Sequence, residues 1–291
     1  MTTTSAASIT TTEAAEIARA NASGKQPVVF VHGLWLLPSS WAAWQELFES
    51  NGFVTLAPGW PDDPATRADA LRAPEVFGGK TIGAITNHIA AVIRQLDRKP
   101  IIVGHSFGGL IAQKLAGMGL SVASVAIDPA QFRGVLPLPL SALKSASAAL
   151  GNPKNFSGQV MLTEAQFRYG FANAVSESEA RDLYETYAVP GAGRPLFQAA
   201  SGNFNPRTEA SVDSATPARG PLLVISGELD HTVPAAVSGA AFRIQSKNPG
   251  ITEHAVMAGR GHSLTIDSGW REVADTALAF LARTVAPVTT R

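Results

Sequence analysis

Pro100-Ile101-Ile102-Val103-Gly104-His105-Ser106-Phe107-Gly108-Gly109-Leu110 is a short apolar run that changes, within one residue, into a helical pattern. Ile101 to Val103 are consecutive and β-branched, as in a strand buried on both faces. From Phe107 onward Leu110, Ile111 and Leu115 recur at helical spacing. Between the two lies Gly104-His105-Ser106-Phe107-Gly108, which reads G-x-S-x-G. A chain that reverses from strand to helix at one residue holds that residue in a strained backbone conformation. Side chains two positions away would collide across such a turn, hence the glycines. The serine hydroxyl is then presented at the carboxyl edge of a sheet, above a helix N-terminus. The bare motif is common. With a strand before it and a helix after it, Ser106 becomes a candidate nucleophile.

A serine near its free pKa is a weak nucleophile and needs a base, which in turn needs an orienting acid. Ser226-Gly227-Glu228-Leu229-Asp230-His231-Thr232-Val233-Pro234 places Asp230 in the loop after the strand Pro221–Gly227. Gly259-Arg260-Gly261-His262 places His262 just after the strand Ile251–Met257. All three candidates fall at carboxyl ends of strands, the edge where open α/β sheets assemble their sites. Their order, Ser, Asp, His, is the one a nucleophile elbow predicts. The joint pattern is far more specific than any one residue. An oxyanion site needs two main-chain donors, expected from the N–H of Phe107 and, after the strand ending in His32-Gly33, from the N–H of Leu34.

Other strands are expected at Pro27–Gly33, Phe53–Ala57 and Val122–Ile127. Helices are expected between them, including Thr81–Leu96 with Ile82, Ile85, Ile89, Val92, Ile93 and Leu96 on one face. Alternating strands and helices argue for a parallel sheet covered on both sides. The interval 131–219 has a different texture, with helical candidates separated by Pro- and Gly-rich breaks. A structureless connection of that length is improbable. We read a helical cap there, over a core formed by residues 25–130 and 220–291, with residues 1–24 as a flexible segment apart from a short helix over 12–21.

Composition narrows the functional classes. Lys plus Arg and Asp plus Glu are 23 each, so the formal net charge is zero and no long charged block stands out. The whole-chain balance gives no reason to expect a nucleic acid or a membrane surface as partner, and a small-molecule substrate is the expectation. The chain has no cysteine, which excludes disulfides, thiolate metal sites and cysteine nucleophiles. No histidine–carboxylate spacing suggests a metal, and the glycines of residues 104–109 lack dinucleotide-binding spacing, so no cofactor is expected. Residues 1–24 contain no apolar run long enough for a signal peptide or a membrane span, and we expect a cytoplasmic location.

The quoted residues resemble those of the α/β-hydrolase superfamily, in the capped, cofactor-free serine group that includes many esterases, lactonases and haloperoxidase-like enzymes. The resemblance spans roughly residues 27–286 and rests on His32-Gly33, the G-x-S-x-G stretch, the loop bearing Asp230 and Gly261-His262. It implies an eight-stranded, mostly parallel sheet with a cap inserted after the sixth strand. The N-terminal segment departs from that pattern, having no convincing pair of strands. The resemblance also implies that His32 braces the oxyanion loop, and that Asp128, at another strand end, is the rival to Asp230. Trp35, Phe132 and His231 are the expected substrate contacts. The activity implied is cleavage of a carboxylic ester or lactone of a small, apolar substrate through an acyl-enzyme. A receptor-like ligand-binding protein, an acyltransferase, a perhydrolase or a C–C hydrolase would use nearly the same residues.

Overall fold

The computed structural model describes residues 8–285. Helix α1 (Thr11–Ser23) opens with a capping box. Thr10 Oγ1 accepts the N–H of Glu13, and Glu13 Oε2 accepts the N–H of Thr10 at 2.8 Å. The helix stops at Gly24, whose φ of 66° is the left-handed conformation that suits glycine. Glu13, Ile17 and Ala20 lie on one buried stripe, with Glu13 Oε1 2.7 Å from His88 Nε2. The short helix expected over 12–21 is present and slightly longer, and residues 8–24 are a capped helix docked on the core rather than a flexible segment. Its Thr-, Ala- and Ser-rich composition conceals both the cap and the stripe. Residues 1–7 lie outside the described residues.

The next elements are β1 (Pro27–Val31), α2 (Ala42–Ser50), β2 (Val54–Leu56), α3 (Arg67–Arg72), α4 (Ile82–Ile93), β3 (Ile101–His105), α5 (Phe107–Gly117) and β4 (Ala123–Ile127). A long, mostly helical excursion follows: α6 (Leu140–Leu150), β5 (Gln159–Val160), α7 (Glu164–Gly170), α8 (Glu177–Tyr187), β6 (Gly191–Ala192) and α9 (Arg194–Ala200). The chain then returns to the sheet with β7 (Leu222–Gly227), α10 (Ala235–Gln245), β8 (Thr252–Met257) and α11 (Trp270–Thr284).

Six strands make one wholly parallel sheet in the order β2-β1-β3-β4-β7-β8, while β5 and β6 form a separate antiparallel pair within the excursion. Side chains alternate across each strand, which separates two apolar layers. Val28, Phe30, Ile101 and Val103 pack with Trp44 and Phe48 of α2 and Phe280 and Leu281 of α11. Val29, Val31 and Ile102 face the other way, against Ile85 and Ile89 of α4 and Leu110 and Ile111 of α5. The main strands thus read as unbroken apolar runs because both of their faces are covered. Among the described residues there is no N-terminal strand pair, and α1 packs beside β2 instead, so the eight strands implied by the resemblance are six here. No described helix is long and apolar enough to cross a membrane.

Registers Gly104↔Ala126, Ile127↔Ile225 and Gly227↔Met257 align the carboxyl ends of β3, β4, β7 and β8 side by side. The loops that carry Ser106, Asp128, Asp230 and His262 therefore leave the sheet from one edge.

Candidate active site

Ser106 has φ 57° and ψ −121°, a backbone conformation that non-glycine residues rarely adopt. Holding it there costs on the order of 1–3 kcal/mol, which the surroundings have to outweigh. Its N–H donates to the Ile127 carbonyl at 2.9 Å, and its own carbonyl accepts the N–H groups of Leu110 and Ala130. A Cβ on Gly104 would strike the Gly108 carbonyl, and one on Gly108 would strike the Val31 carbonyl. Both glycines are required by close backbone approach. A Cβ on Gly33 would lie 2.8 Å from Ser106 Cβ, so the β1 loop sits directly against the serine.

Asp230 and His262 are brought together. His262 Nδ1 lies 2.6 Å from Asp230 Oδ2, and both side chains are inaccessible to solvent. Asp230 Oδ1 accepts the N–H groups of Thr232 and Val233 at 2.6 and 2.9 Å, which fixes the carboxyl plane. A carboxylate on Nδ1 assigns the proton to that nitrogen and leaves the Nε2 lone pair as the basic site. Nε2 is buried and makes no hydrogen bond, with Ser106 Oγ or any other described group. Catalytic contacts of this kind commonly tighten only when substrate binds.

Asp128 ends the adjacent strand with φ 39°. Its Oδ1 accepts the Gly227 N–H at 2.7 Å, while Oδ2 is 4.0 Å from His262 Nδ1, beyond hydrogen-bond reach. Burial, then the neighbouring charge of Asp230 and a hydrogen bond shared with it, push the Asp128 carboxyl well above the ordinary range. Asp128 thus lies beside the Asp230–His262 pair with its protonated form favoured. His105 is also buried, its ring 4.6 Å from that of His262. Burial, and after it the charge of His262, hold His105 well below the ordinary imidazole range. His105, Asp128 and His262 offer ligand atoms within 4.8 Å of one another. Nδ1 of His262 is already engaged by Asp230, and ligands bound to a zinc-type ion at about 2.0–2.1 Å would have to draw closer together. The geometry suits a base and its buried neighbours better than an ion.

Leu34 and Phe107 flank this point. Phe107 is the first residue of α5, so its N–H has no intrahelical acceptor. Leu34 directly follows Gly33 in the β1 loop, which is anchored from below. His32 Nδ1 lies 2.9 Å from the Gly33 carbonyl, and Nε2 lies 3.0 Å from Asp63 Oδ2. Lys80 Nζ donates to Asp63 Oδ1 at 2.5 Å, and the indole of Trp60 stacks on His32. Burial alone would raise the Asp63 carboxyl, but the contact and charge of His32 and the Lys80 ammonium outweigh it and hold it below the ordinary range. Its contribution to stability is present above the unfolded-state value and is lost as pH falls through the depressed folded value. Lys80→Met would strand a buried carboxylate. We expect a loss of about 3–5 kcal/mol in urea unfolding. A loss within 1 kcal/mol, on the order of a surface pair, would show that this network does not anchor the loop.

Ser106 and Phe107 open into a cavity of about 130 Å³ whose other walls include Trp35, Leu143, Ala146 and Val237. Trp35 has φ 64°, and its indole N–H donates to the Val160 carbonyl at 2.9 Å, tying the β1 loop to the β5–β6 pair. Phe132 and His231 do not line the cavity. Phe132 is packed in the core, and His231 Nδ1 lies 3.0 Å from the Tyr169 carbonyl, with its ring against that of Tyr169. His231 thereby ties the β7 loop to the excursion. Phe171 directly follows α7 and is buried. Its ring meets the His262 imidazole edge-on at 4.7 Å, and its carbonyl accepts the Ser263 N–H. Phe171 thus braces the base from outside the sheet, a contact across about ninety residues that no local signal announces.

Comparison with known proteins places this geometry. No curated protein sequence is recognisably similar to the chain. Solved structures share its fold at low identity. The monoacylglycerol lipase of Paleococcus ferrophilus is 20% identical, with a TM-score of 0.61 over 89% of this chain and 94% of that one. An extracellular alpha/beta-hydrolase from a Paenibacillus species is 19% identical, with a TM-score of 0.63 over 89% and 98%. Tomato methylketone synthase I is 16% identical, with a TM-score of 0.63 over 89% and 99%. At these identities the likeness is one of fold. The family model described as the alpha/beta hydrolase family matches residues 28–276, most of the chain. The six-stranded parallel sheet and the family match agree, and the chain belongs to the alpha/beta hydrolase family.

Proposed function

We propose that this protein is a serine hydrolase that cleaves a carboxylic ester or lactone of a small, largely apolar substrate through an acyl-enzyme. The observation that carries the reading is the strained Ser106 elbow opening onto an apolar cavity, with the buried Asp230–His262 pair at the same sheet edge. Ser106 Oγ attacks the carbonyl carbon while His262 Nε2 takes its proton. The N–H groups of Leu34 and Phe107 stabilise the oxyanion that forms. His262 then returns the proton to the leaving alcohol, and water, activated by the same imidazole, releases the acid. Asp230 keeps the imidazole in the productive tautomer. No step needs a cofactor.

The excursion between β4 and β7 acts in this scheme as a cap that excludes water and sets which substrates are accepted. Its side chains Leu143 and Ala146 share the cavity wall with Ser106. A panel of acyl esters, lactones and amides tests the reading. Uncharged esters and lactones with short acyl groups should turn over and charged ones should not. Ala146→Phe should shift the butyrate-to-acetate rate ratio about tenfold towards acetate, the scale on which one methylene is discriminated. Covalent labelling of Ser106 without turnover of any panel member would favour a ligand-binding role instead.

A further inference from the structure

The stretch leading into α6, Val135-Leu136-Pro137-Leu138-Pro139-Leu140, turns alternate residues outward. Leu136, Leu138 and Leu140 are 76%, 58% and 84% exposed, and Leu143, one turn into α6, is also exposed. Phe204, 90% exposed, joins them. Its neighbour Asn203 bonds to the Gly134 N–H and the Val135 carbonyl, holding that turn against the stretch. Single exposed leucines are ordinary, but a contiguous row marks an interaction surface. We infer that this face docks the protein onto an anionic lipid surface, with the mouth of the cavity turned towards the lipid.

Three observations select that occupant. The segments that carry the row, residues 129–163 and 201–208, contain Arg133, Lys144, Lys154 and Arg207 and no Asp or Glu, whereas Arg194 of α9 lies beside the carboxylate of Glu209. An apolar row carried on cationic segments matches an anionic headgroup layer over acyl chains. A second copy fits badly, because a two-fold contact sets a patch against itself and would oppose these cations across the interface. Leu138 and Leu143 also line the cavity beside Ser106, so the docked face is continuous with the proposed substrate pocket. An apolar molecule dissolved in lipid could enter along those leucines without crossing water. Pro137 and Pro139 add to the fit by removing two backbone donors that docking would otherwise dehydrate. The zero net charge of the whole chain hides the patch, which is why composition alone argued against a membrane surface.

The test is sedimentation of the full chain with vesicles, read without turnover, so it is independent of whether Ser106 is a nucleophile. The wild-type protein should partition onto phosphatidylglycerol vesicles, and less so onto phosphatidylcholine or in high salt. Leu136→Ser/Leu140→Ser/Phe204→Ser changes only exposed side chains outside the cavity. It should lower the partition coefficient about a hundredfold while hydrolysis of a water-soluble ester is unchanged. Arg133→Gln/Arg207→Gln should weaken binding to phosphatidylglycerol about thirtyfold and leave phosphatidylcholine binding unaltered. Wild-type protein that ignores both vesicles would overturn the proposal. So would a triple variant that binds as well as wild type, or wild-type dimers that the triple variant abolishes without any vesicle binding.

Discussion

Ser106→Ala should lower kcat on any ester the wild-type protein accepts by about a million-fold, the loss seen when a triad nucleophile is removed. The substitution deletes one oxygen from a side chain already held at φ 57°, and the turn survives because its main-chain bonds to Ile127, Leu110 and Ala130 do not involve the hydroxyl. Thermal unfolding should therefore stay near that of wild type. What remains after the change is the oxyanion site and the cavity, so ester binding should persist while turnover disappears. Residual turnover within tenfold of wild type would assign the chemistry to another group.

Asp230→Asn should cost on the order of ten-thousand-fold in kcat, because an amide at that point turns the His262 imidazole into the wrong tautomer. Asp128→Asn should cost less than tenfold. The two carboxyls end neighbouring loops and converge on the same imidazole, but one lies 2.6 Å from Nδ1 and the other 4.0 Å. Burial and the charge of Asp230 favour the protonated form of Asp128, which an asparagine matches in shape and charge. The stability consequence has a definite sign. The folded protein keeps the Asp128 proton at pH values where the unfolded chain has released it. Folded protein thus binds more protons than unfolded, and stability falls as pH rises from the ordinary carboxylate value of 3.8 towards the raised folded one. Asp128→Asn removes that dependence, and its stability relative to wild type should grow with pH across the same window. A variant pair with the activity losses reversed would move the acid to the end of β4.

These two experiments bear on residues of unequal legibility. The Ser106 elbow could be read locally, because the strand period, the helical period and the two glycines lie within eleven consecutive residues. His262 followed from its place after the last strand signal. The loop pattern favours Asp230 over Asp128, but since both end parallel strands it does not show what separates them. The separation turns on how the Thr232 and Val233 N–H groups rotate one carboxyl towards the imidazole, while Gly227 holds the other away. The His32–Asp63–Lys80 anchor and the Phe171 brace were illegible for the same reason: they are side-chain contacts between distant segments. Helix α1 was legible as a helix, but its docking through Glu13 and His88 was concealed by a composition that resembles a loose terminus. In the excursion, Phe132 was expected in the pocket and is packed in the core.

The central claim is that Ser106 is an activated nucleophile, and covalent labelling tests it without knowledge of the substrate. Treatment with a fluorophosphonate, followed by intact-mass measurement and peptide mapping, should show a single adduct on the peptide that carries Ser106. The adduct should be absent in Ser106→Ala and should form far more slowly in His262→Ala. An unmodified Ser106 in protein that still hydrolyses esters, or an equal labelling rate with and without His262, would contradict the account.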